Sequence, residues 1–183
     1  MTKICAFLAP GLEEVECLAV VDVLRRAKMD VTLVSVGDGP EIIGSHGITI
    51  RCDRMYEEAF CRDADLLFLP GGLPGTTNLG AHTGLFGLLK EFNRTEGKRL
   101  AAICAAPTVL GQNGCLEGKT ATCYPGCEGD LGGARYVDTA VVTDGNVTTA
   151  RGLGAALDLG IELVRLYEGE KTALQLKNKI QYR

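Results

Sequence analysis

The chain has 183 residues, of which 46% are hydrophobic and 23% charged, and its formal net charge is −4. This composition excludes a disordered chain, and the length suits a single domain over residues 1–183 that buries about 70% of its unfolded surface. The net charge is negative and the sequence has no basic stripe or Lys/Arg cluster. Neither nucleic acid nor an anionic membrane surface is therefore a predicted partner. The first apolar run is too short for a signal peptide and none approaches the length of a membrane span, which predicts a cytoplasmic protein.

Apolar, β-rich runs alternate along the chain with amphipathic helical runs. This order predicts an α/β sandwich with a mainly parallel sheet. The predicted strands are 3–9, 31–36, 65–69 and 99–103. The predicted helices are 13–27, 82–92, about 153–167 and a shorter one after 170.

Two further segments read as hairpins. Residues 41–51 alternate and contain glycines, which predicts a small arm outside the main sheet, and residues 141–149 turn at Asp144-Gly145. In open α/β sheets, ligands bind at the carboxyl ends of the strands. We therefore expect Pro10-Gly-Leu-Glu13, Pro70-Gly-Gly72 and Cys104 to meet at one edge.

The eight cysteines predict neither a disulfide framework nor a metal site. Disulfide frameworks belong to small secreted chains, and this chain shows no C-x-x-C pair. Cys123 and Cys127 lack a second pair, and only His46 and His82 could add imidazole, so most thiols are interpreted as small buried hydrophobes. The run beginning at Gly152 lacks the third small residue and the later acid of a dinucleotide fingerprint, and no cofactor is predicted.

Cys104 stands apart because it follows a strand and precedes a helix. A nucleophile at such a corner needs small neighbours two places away on both sides, and here Ala102 and Ala106 fill those positions. Pro107 suits the first turn of the helix, whose partial positive charge would lower the thiol pKa. The alternative is an ordinary buried cysteine at an alanine-rich strand end.

Two groups at the same edge could serve this thiol. Glu16 lies in the first turns of a helix, and either remains an ordinary helix-start acid or turns inward, where burial would raise its pKa and let it share a proton with Cys104. The backbone amides of Gly71 and Gly72, with that of Ala105, could form an oxyanion hole. The alternative for Pro70-Gly-Gly72 is a plain tight turn.

Taken together, these residues resemble the ThiJ/PfpI superfamily, in the branch of the parkinsonism-associated deglycase (DJ-one) and its bacterial relatives. The resemblance runs nearly from end to end, and its motifs are specific only in combination. They are Ala9-Pro-Gly-Leu-Glu-Glu-Val-Glu16, Val21-Asp-Val-Leu-Arg-Arg-Ala27, Leu69-Pro-Gly-Gly72, Ala101-Ala-Ile-Cys-Ala-Ala-Pro-Thr108 and Ala150-Arg-Gly-Leu-Gly154.

The resemblance implies a flavodoxin-like three-layer sandwich and a homodimer, with Cys104 as a reactive, readily oxidised elbow cysteine. It implies that Glu16 is a protonated acid that is hydrogen-bonded to the sulfur, and that the backbone amides of Gly72 and Ala105 stabilise an oxyanion. Around them it implies a pocket formed by Gly71, Arg26, His46, Tyr124 and Arg151. The activities implied are glyoxalase action without glutathione, repair of glycated groups, redox sensing, chaperoning and a thiamine-precursor role.

The sequence departs from the family pattern near the cysteine. Tyr124 stands where close relatives have a histidine, so a Cys–His pair is not available from that position. His46 aligns with a pocket arginine and would reach across a dimer, and Leu153 replaces a common proline. Ala105 stands where the protease-like branch has histidine, so peptidase activity is not expected.

Two hypotheses of different class follow from these residues. The first is an enzyme acting on a small aldehyde or dicarbonyl, such as methylglyoxal or its early adducts, through Cys104 and Glu16. The second is a non-enzymatic redox sensor or chaperone-like protein that needs only the oxidisable thiol. A thiazole-phosphate role is weaker, because a phosphate site would need more basic groups than Arg26 and Arg151.

Overall fold

The computed structural model describes residues 1–182 and contains eleven strands and six helices within them. The strands are β1 Lys3–Leu8, β2 Asp30–Ser35, β3 Glu41–Ile43, β4 Thr49–Arg51, β5 Arg54–Met55, β6 Leu66–Leu69, β7 Arg99–Ile103, β8 Thr120–Ala121, β9 Arg135–Tyr136, β10 Val141–Asp144 and β11 Val147–Ala150. The helices are α1 Glu14–Arg26, α2 Glu58–Arg62, α3 Gly75–Ala81, α4 Thr83–Arg94, α5 Pro107–Gln112 and α6 Ala156–Lys179.

Seven strands form the central sheet in the order β10-β11-β7-β6-β1-β2-β5. All neighbours are parallel except β10 and β11, which form the predicted hairpin. The inner strands read as unbroken apolar runs because both faces of a parallel sheet are covered. All four residues of β6 are buried, and so are the last five of β1. The predicted mainly parallel α/β architecture is confirmed.

The core lies in two clusters of buried side chains, one containing Ala6, Leu8 and Phe68 and the other Cys5, Phe7 and Leu67. Helices α1 and α6 contribute to the first cluster and α4 and α5 to the second. Gly169 has φ +85°, which interrupts α6 at the point where the sequence predicted a break between a long and a shorter helix.

Strands β3 and β4 pair only with each other and form the arm predicted outside the main sheet. The sequence did not predict β5, β8, β9, α2 or α3. These elements have two to seven residues, too few to show a hydrophobic period.

The carboxyl ends of β1, β6 and β7 bring the three expected stretches together. The amide of Glu13 donates to the Gly71 carbonyl at 2.9 Å, and Gly71 lies against Cys104. The start of α1 therefore meets the elbow at this edge. Across residues 1–182, no helix is both long enough and apolar enough for a bilayer crossing.

Candidate active site

Cys104 lies immediately after β7 with φ +63°, a left-handed conformation that non-glycine residues rarely adopt and that costs about 1–2 kcal/mol. Two backbone hydrogen bonds hold it there. Its amide donates to the Ala150 carbonyl at 2.9 Å, and its carbonyl accepts from the Tyr124 amide at 2.7 Å. The elbow predicted from the small neighbours is therefore present, and the thiol is half-buried.

The small residues on either side of the elbow are needed for packing. Ala102 and Ala106 are both fully buried, so a larger side chain at either position would have to displace core atoms. Beyond them, Pro107 begins α5 as predicted, and the Thr108 hydroxyl donates to the Ala105 carbonyl at 2.7 Å. The sharp turn is thus fixed on its helical side as well.

Glu16 turns inward, the second of the two alternatives that its position left open. It lies in the first turn of α1, where the Glu13 side chain accepts its amide hydrogen at 2.6 Å. Its side chain is only 1% exposed and lies against the Cys104 thiol and the amides of Gly71 and Leu153. The carboxyl oxygen Oε2 is buried without a hydrogen-bond partner.

Gly71 and Gly72 make the close approach of these groups possible. A Cβ at Gly71 would lie 2.5 Å from Cys104 Cβ, 2.8 Å from the Ile103 carbonyl oxygen, and in collision with Glu16 Oε2. Gly72 has φ +93°, and a Cβ there would collide with the Glu13 amide. Both positions require glycine, and the Gly72 amide then faces the thiol together with the Ala105 amide.

Burial raises the pKa of Glu16 to about 7, partly offset by its contacts with Cys104 and the Gly71 amide. The pKa of the Cys104 thiol is raised to about 12. Burial is the largest cause and the adjacent Glu16 carboxylate the next, and together they outweigh the Gly72 and Ala105 amides, which lower the pKa. The prediction that a helix start would lower the thiol pKa is therefore wrong while Glu16 is ionised. Helix α5 has only six residues, too few to outweigh burial beside an anion.

His46 contacts the start of α1 in the described structure. Its amide donates to Glu14 Oε1 at 2.8 Å, and its Nδ1 lies 3.1 Å from Glu14 Oε2 and 3.8 Å from Glu13 Oε1. Its side chain is 70% exposed, and the described contacts of the imidazole are with Glu13, Glu14 and Ser45 rather than with Cys104. The role of Glu14 in holding this hairpin was not predicted, because it depends on contacts between residues 31 to 34 positions apart.

Arg26 is not brought to the site. It lies at the last residue of α1, ten positions and about 15 Å along the helix from Glu16, and its Nε lies 2.5 Å from Asp22. The pocket assignment for Arg26 is corrected on this geometry, because α1 runs away from the carboxyl edge of the sheet. Arg151 does lie near the elbow, but it forms an ion pair with Asp138.

An open groove of about 500 Å³ lies on one side of the elbow. Tyr124, Arg151 and Leu153 contribute to its wall, and the Leu153 amide contacts the Glu16 carboxyl. Tyr124 is 54% exposed and its ring lies beside Gly152. The groove is therefore connected to the site through residues that contact the acid and the elbow, whereas Glu16 and Cys104 themselves do not line it.

A mainly parallel α/β sandwich that presents a cysteine at a strained strand-to-helix corner defines the class of nucleophile-elbow proteins. A family model described as the DJ-1/PfpI family matches residues 2–166. The chain belongs to the DJ-1/PfpI family.

Relatives of similar length support this assignment. Protein dj-1beta of Drosophila melanogaster is 37% identical over 166 residues, which cover 90% of this chain and 88% of the relative. A Schizosaccharomyces pombe protein named glutathione-independent glyoxalase DJ-1 is 30% identical over 173 residues, covering 90% of each. The crystal structure of Drosophila DJ-1beta has a TM-score of 0.92 at 33% identity and covers all of this chain and 98% of that one. A structure titled Toxoplasma gondii DJ-1, oxidized, has a TM-score of 0.92 at 26% identity, covering 100% and 99%.

Other relatives are longer than this chain. The Arabidopsis thaliana proteins DJ-1 homolog B and homolog A are 34% and 35% identical over 170 residues, 92% of this chain. That match covers only 39% and 43% of their lengths. The chain thus spans about two fifths of these two relatives.

Proposed function

We propose that this protein converts small reactive dicarbonyls, such as methylglyoxal, or their early adducts, without glutathione. The observation that carries the proposal is the buried Glu16 carboxyl against the Cys104 thiol, at a strained elbow that faces the Gly72 and Ala105 amides. A pKa of about 7 lets Glu16 act both as base and as acid at neutral pH. The name of the Schizosaccharomyces pombe relative points to the same chemistry.

In the first step, Cys104 adds to the aldehyde carbon of the substrate. The sulfur forms the new bond while Glu16, as carboxylate, accepts the thiol proton, and the carbonyl electrons move onto oxygen. The amides of Gly72 and Ala105 stabilise this oxyanion, and Glu16 then returns the proton to it. The product is a hemithioacetal, and Glu16 is again a carboxylate.

In the second step, Glu16 moves a proton between the two substrate carbons. It removes the hydrogen from the former aldehyde carbon as a proton, giving an enediolate, and delivers it to the neighbouring carbon. The hydroxyl proton of the first carbon passes to the oxygen of the second, so the first carbon becomes the thioester carbonyl and the second carries the hydroxyl group. One carbon is oxidised and the other reduced by the same two electrons, so no external acceptor is needed. Water then hydrolyses the resulting thioester, which releases lactate and restores the Cys104 thiol.

The test is lactate formation from methylglyoxal by the full chain. We expect it to vanish in Cys104→Ser and to fall by about a hundredfold or more in Glu16→Gln, the range that general acid–base catalysis contributes. Cys127→Ser is the matched control, since Cys127 is the other half-buried cysteine and should retain activity. Unchanged turnover in both active-site variants would reject this mechanism.

A second candidate function is a redox sensor or chaperone-like protein that uses the same thiol without turnover. The half-buried Cys104 and the oxidised state named for the Toxoplasma gondii structure favour it. Graded peroxide followed by mass spectrometry separates the two functions. Selective addition of two oxygens at Cys104, with no lactate formed from methylglyoxal, would favour the sensor.

We also propose that the protein forms a homodimer through the exposed apolar face of α1 and the adjoining arm. Val15 and Leu18 are 48% and 39% exposed, and Ile43 and Ile48 on the arm are 60% and 52% exposed. Several large exposed apolar side chains on two adjoining elements are typical of an interaction surface. Light scattering should give twice the chain mass for the wild type and the single-chain mass for a Leu18→Asp, Ile48→Asp double variant.

A further inference from the structure

Glu13 lies where α1 meets the glycine turn of residues 70–72, and the proposed mechanism gives it no role. The residue is only 9% exposed, and it makes contacts in three directions. Its amide donates to the Gly71 carbonyl at 2.9 Å, its Oε2 accepts the amide hydrogen of Glu16 at 2.6 Å, and its Oε1 lies 3.8 Å from His46 Nδ1. One residue therefore contacts the glycine turn, the first turn of α1 and the arm.

We propose that Glu13 is a positioning residue of the candidate site, which holds the Glu16 carboxyl and the Gly72 amide in place and sets a second negative charge beside the proton carrier. The inference deepens the dicarbonyl chemistry and rests on the proton-carrier role proposed for Glu16. Glu13 acts through its neighbours and takes no part in bond making, because its described hydrogen bonds and ion contacts do not include Cys104.

The backbone of Glu13 fixes the glycine turn. Its amide hydrogen bond holds Gly71, the residue whose backbone packs against Cys104. Gly72 lies so close to Glu13 that a Cβ on Gly72 would collide with the Glu13 amide nitrogen and lie 3.0 Å from the Glu13 Cα. Because the Gly72 amide faces the Cys104 thiol, a displacement of the Glu13 backbone would move one of the two oxyanion donors.

The side chain of Glu13 fixes the acid. Glu13 is the N-cap of α1, and its carboxyl accepts the amide hydrogen of Glu16, the third residue of the helix. This bond holds the backbone from which the Glu16 side chain reaches the thiol. The preferred N-cap residues are Ser, Thr, Asp, Asn and Gly, so capping alone does not require glutamate. The longer side chain also brings Oε1 to 3.8 Å from His46 Nδ1, a contact that capping does not need.

The charge of Glu13 acts on the proton of Glu16. Burial is the main cause of the raised pKa of Glu16, and the negative charge of Glu13 raises this pKa further. Because two adjacent carboxylates repel each other, the charge on Glu13 favours the protonated form of Glu16. The other titratable groups that face these two carboxyls are Glu14 on the same helix, His46 on the arm and Cys104 on the elbow.

The test follows the Glu16 carboxyl directly, by ¹³C NMR titration of the folded full chain with labelled glutamate, and Glu16→Gln identifies the signal by its absence. Glu13→Gln keeps the side-chain length and an oxygen that accepts the Glu16 amide hydrogen, but it removes the charge. We expect the midpoint of the Glu16 titration to fall by about one pH unit in this variant, because ionisation no longer creates a second adjacent charge. The acid limb of the pH profile of kcat/KM for methylglyoxal should move down by the same amount, since it reports the essential base of the free enzyme. Asp22→Asn removes an exposed acid further along α1 and should shift neither midpoint nor limb.

A second variant separates positioning from charge. Glu13→Ala removes the hydrogen-bond acceptor as well as the charge, so kcat for methylglyoxal should fall by about tenfold while KM changes less than about twofold. Glu13→Gln keeps the acceptor, and its kcat at the optimum pH should stay within about twofold of the wild type. Circular dichroism establishes that both variants are folded.

The outcomes for Glu13 and for the dicarbonyl chemistry are distinguishable, because the NMR titration needs no turnover. An unchanged Glu16 midpoint in Glu13→Gln would overturn the proposal even if methylglyoxal is converted to lactate. A shifted midpoint in a protein that forms no lactate would reject the dicarbonyl function and support the positioning role. The shift should also occur in a His46→Ala background, and its loss there would assign the effect to the imidazole and overturn the proposal.

Discussion

Glu14 and Glu16 lie two residues apart at the start of α1, and each is only 1% exposed, yet their pKa values move in opposite directions. Burial opposes the charged form of both side chains. For Glu14, hydrogen bonds from its own backbone and from the amides of His46 and Ile48 outweigh burial and lower the pKa. For Glu16, the main neighbour is a thiol, Oε2 has no partner, and burial dominates.

The difference shows that the donors around a carboxyl decide its role when burial is equal. Glu14 serves as an anionic anchor for the arm formed by β3 and β4, and its charge is satisfied by fixed amides. Glu16 is held in a place where ionisation is costly, which keeps its proton exchangeable near neutral pH. One helix turn thereby contains a structural carboxylate and a candidate proton carrier.

The largest expected effect is on the pH dependence of stability. Because the folded-state pKa of Glu16 lies above its ordinary value of 4.5, its contribution to the free energy of unfolding is fully present below pH 4.5 and is lost as pH rises through about 7. Relative to Glu16→Gln, the wild type should lose about 3 kcal/mol between pH 4 and pH 8, since each pKa unit corresponds to about 1.4 kcal/mol. Urea unfolding of both proteins across this range measures the difference, and parallel profiles would contradict it.

Glu14→Gln should have the opposite pH dependence. The lowered pKa of Glu14 means that its stabilisation is present above the ordinary value and is lost as pH falls through the folded-state value. The variant should lose about 2 kcal/mol of unfolding free energy at pH 7, because the charged acceptor of the arm amides is removed, and much less at pH 3. Glu41→Gln, an exposed position in the same arm, is the control and should change little. Equal losses at both pH values would mean that the charge of Glu14 is not the stabilising feature.

The rate at which Cys104 is alkylated measures how the Glu16 carboxyl group affects the reactivity of the Cys104 thiol. Replacing Glu16 with Gln removes the negative charge that raises the thiol pKa, so alkylation at pH 8 should become faster by about tenfold while dicarbonyl turnover falls. Site-resolved mass spectrometry after timed iodoacetamide treatment gives the rate, with Cys127 as the internal reference. Slower alkylation in the variant would show instead that Glu16 holds the proton and stabilises a Cys104 thiolate.

The sequence predicted the parts of the fold and site that depend on local pattern. Strands β1, β6 and β7 read as continuous apolar runs because they are buried on both faces, and the small residues around Cys104 identified the elbow. Glu16 was placed at the correct edge because a helix that follows a parallel strand starts where that strand ends.

Features set by distant contacts could not be predicted in this way. The anchoring role of Glu14 depends on amides 32 and 34 residues later in the chain. Arg26 was assigned to the pocket from a motif, but helical geometry carries it to the far end of α1.

The smallest expected effect concerns Tyr124, which lies in the wall of the groove beside the elbow. Its backbone amide holds the Cys104 carbonyl at 2.7 Å, whereas its side chain is 54% exposed, so the position contributes to the elbow mainly through the backbone. Tyr124→Phe keeps the ring beside Gly152, and turnover of methylglyoxal should remain within about twofold of the wild type, as for other exposed substitutions. Tyr124→Pro is the contrasting variant, because it removes the amide hydrogen that fixes the elbow and should lower turnover strongly. A large loss in Tyr124→Phe would assign the phenol hydroxyl a direct role beside Glu16.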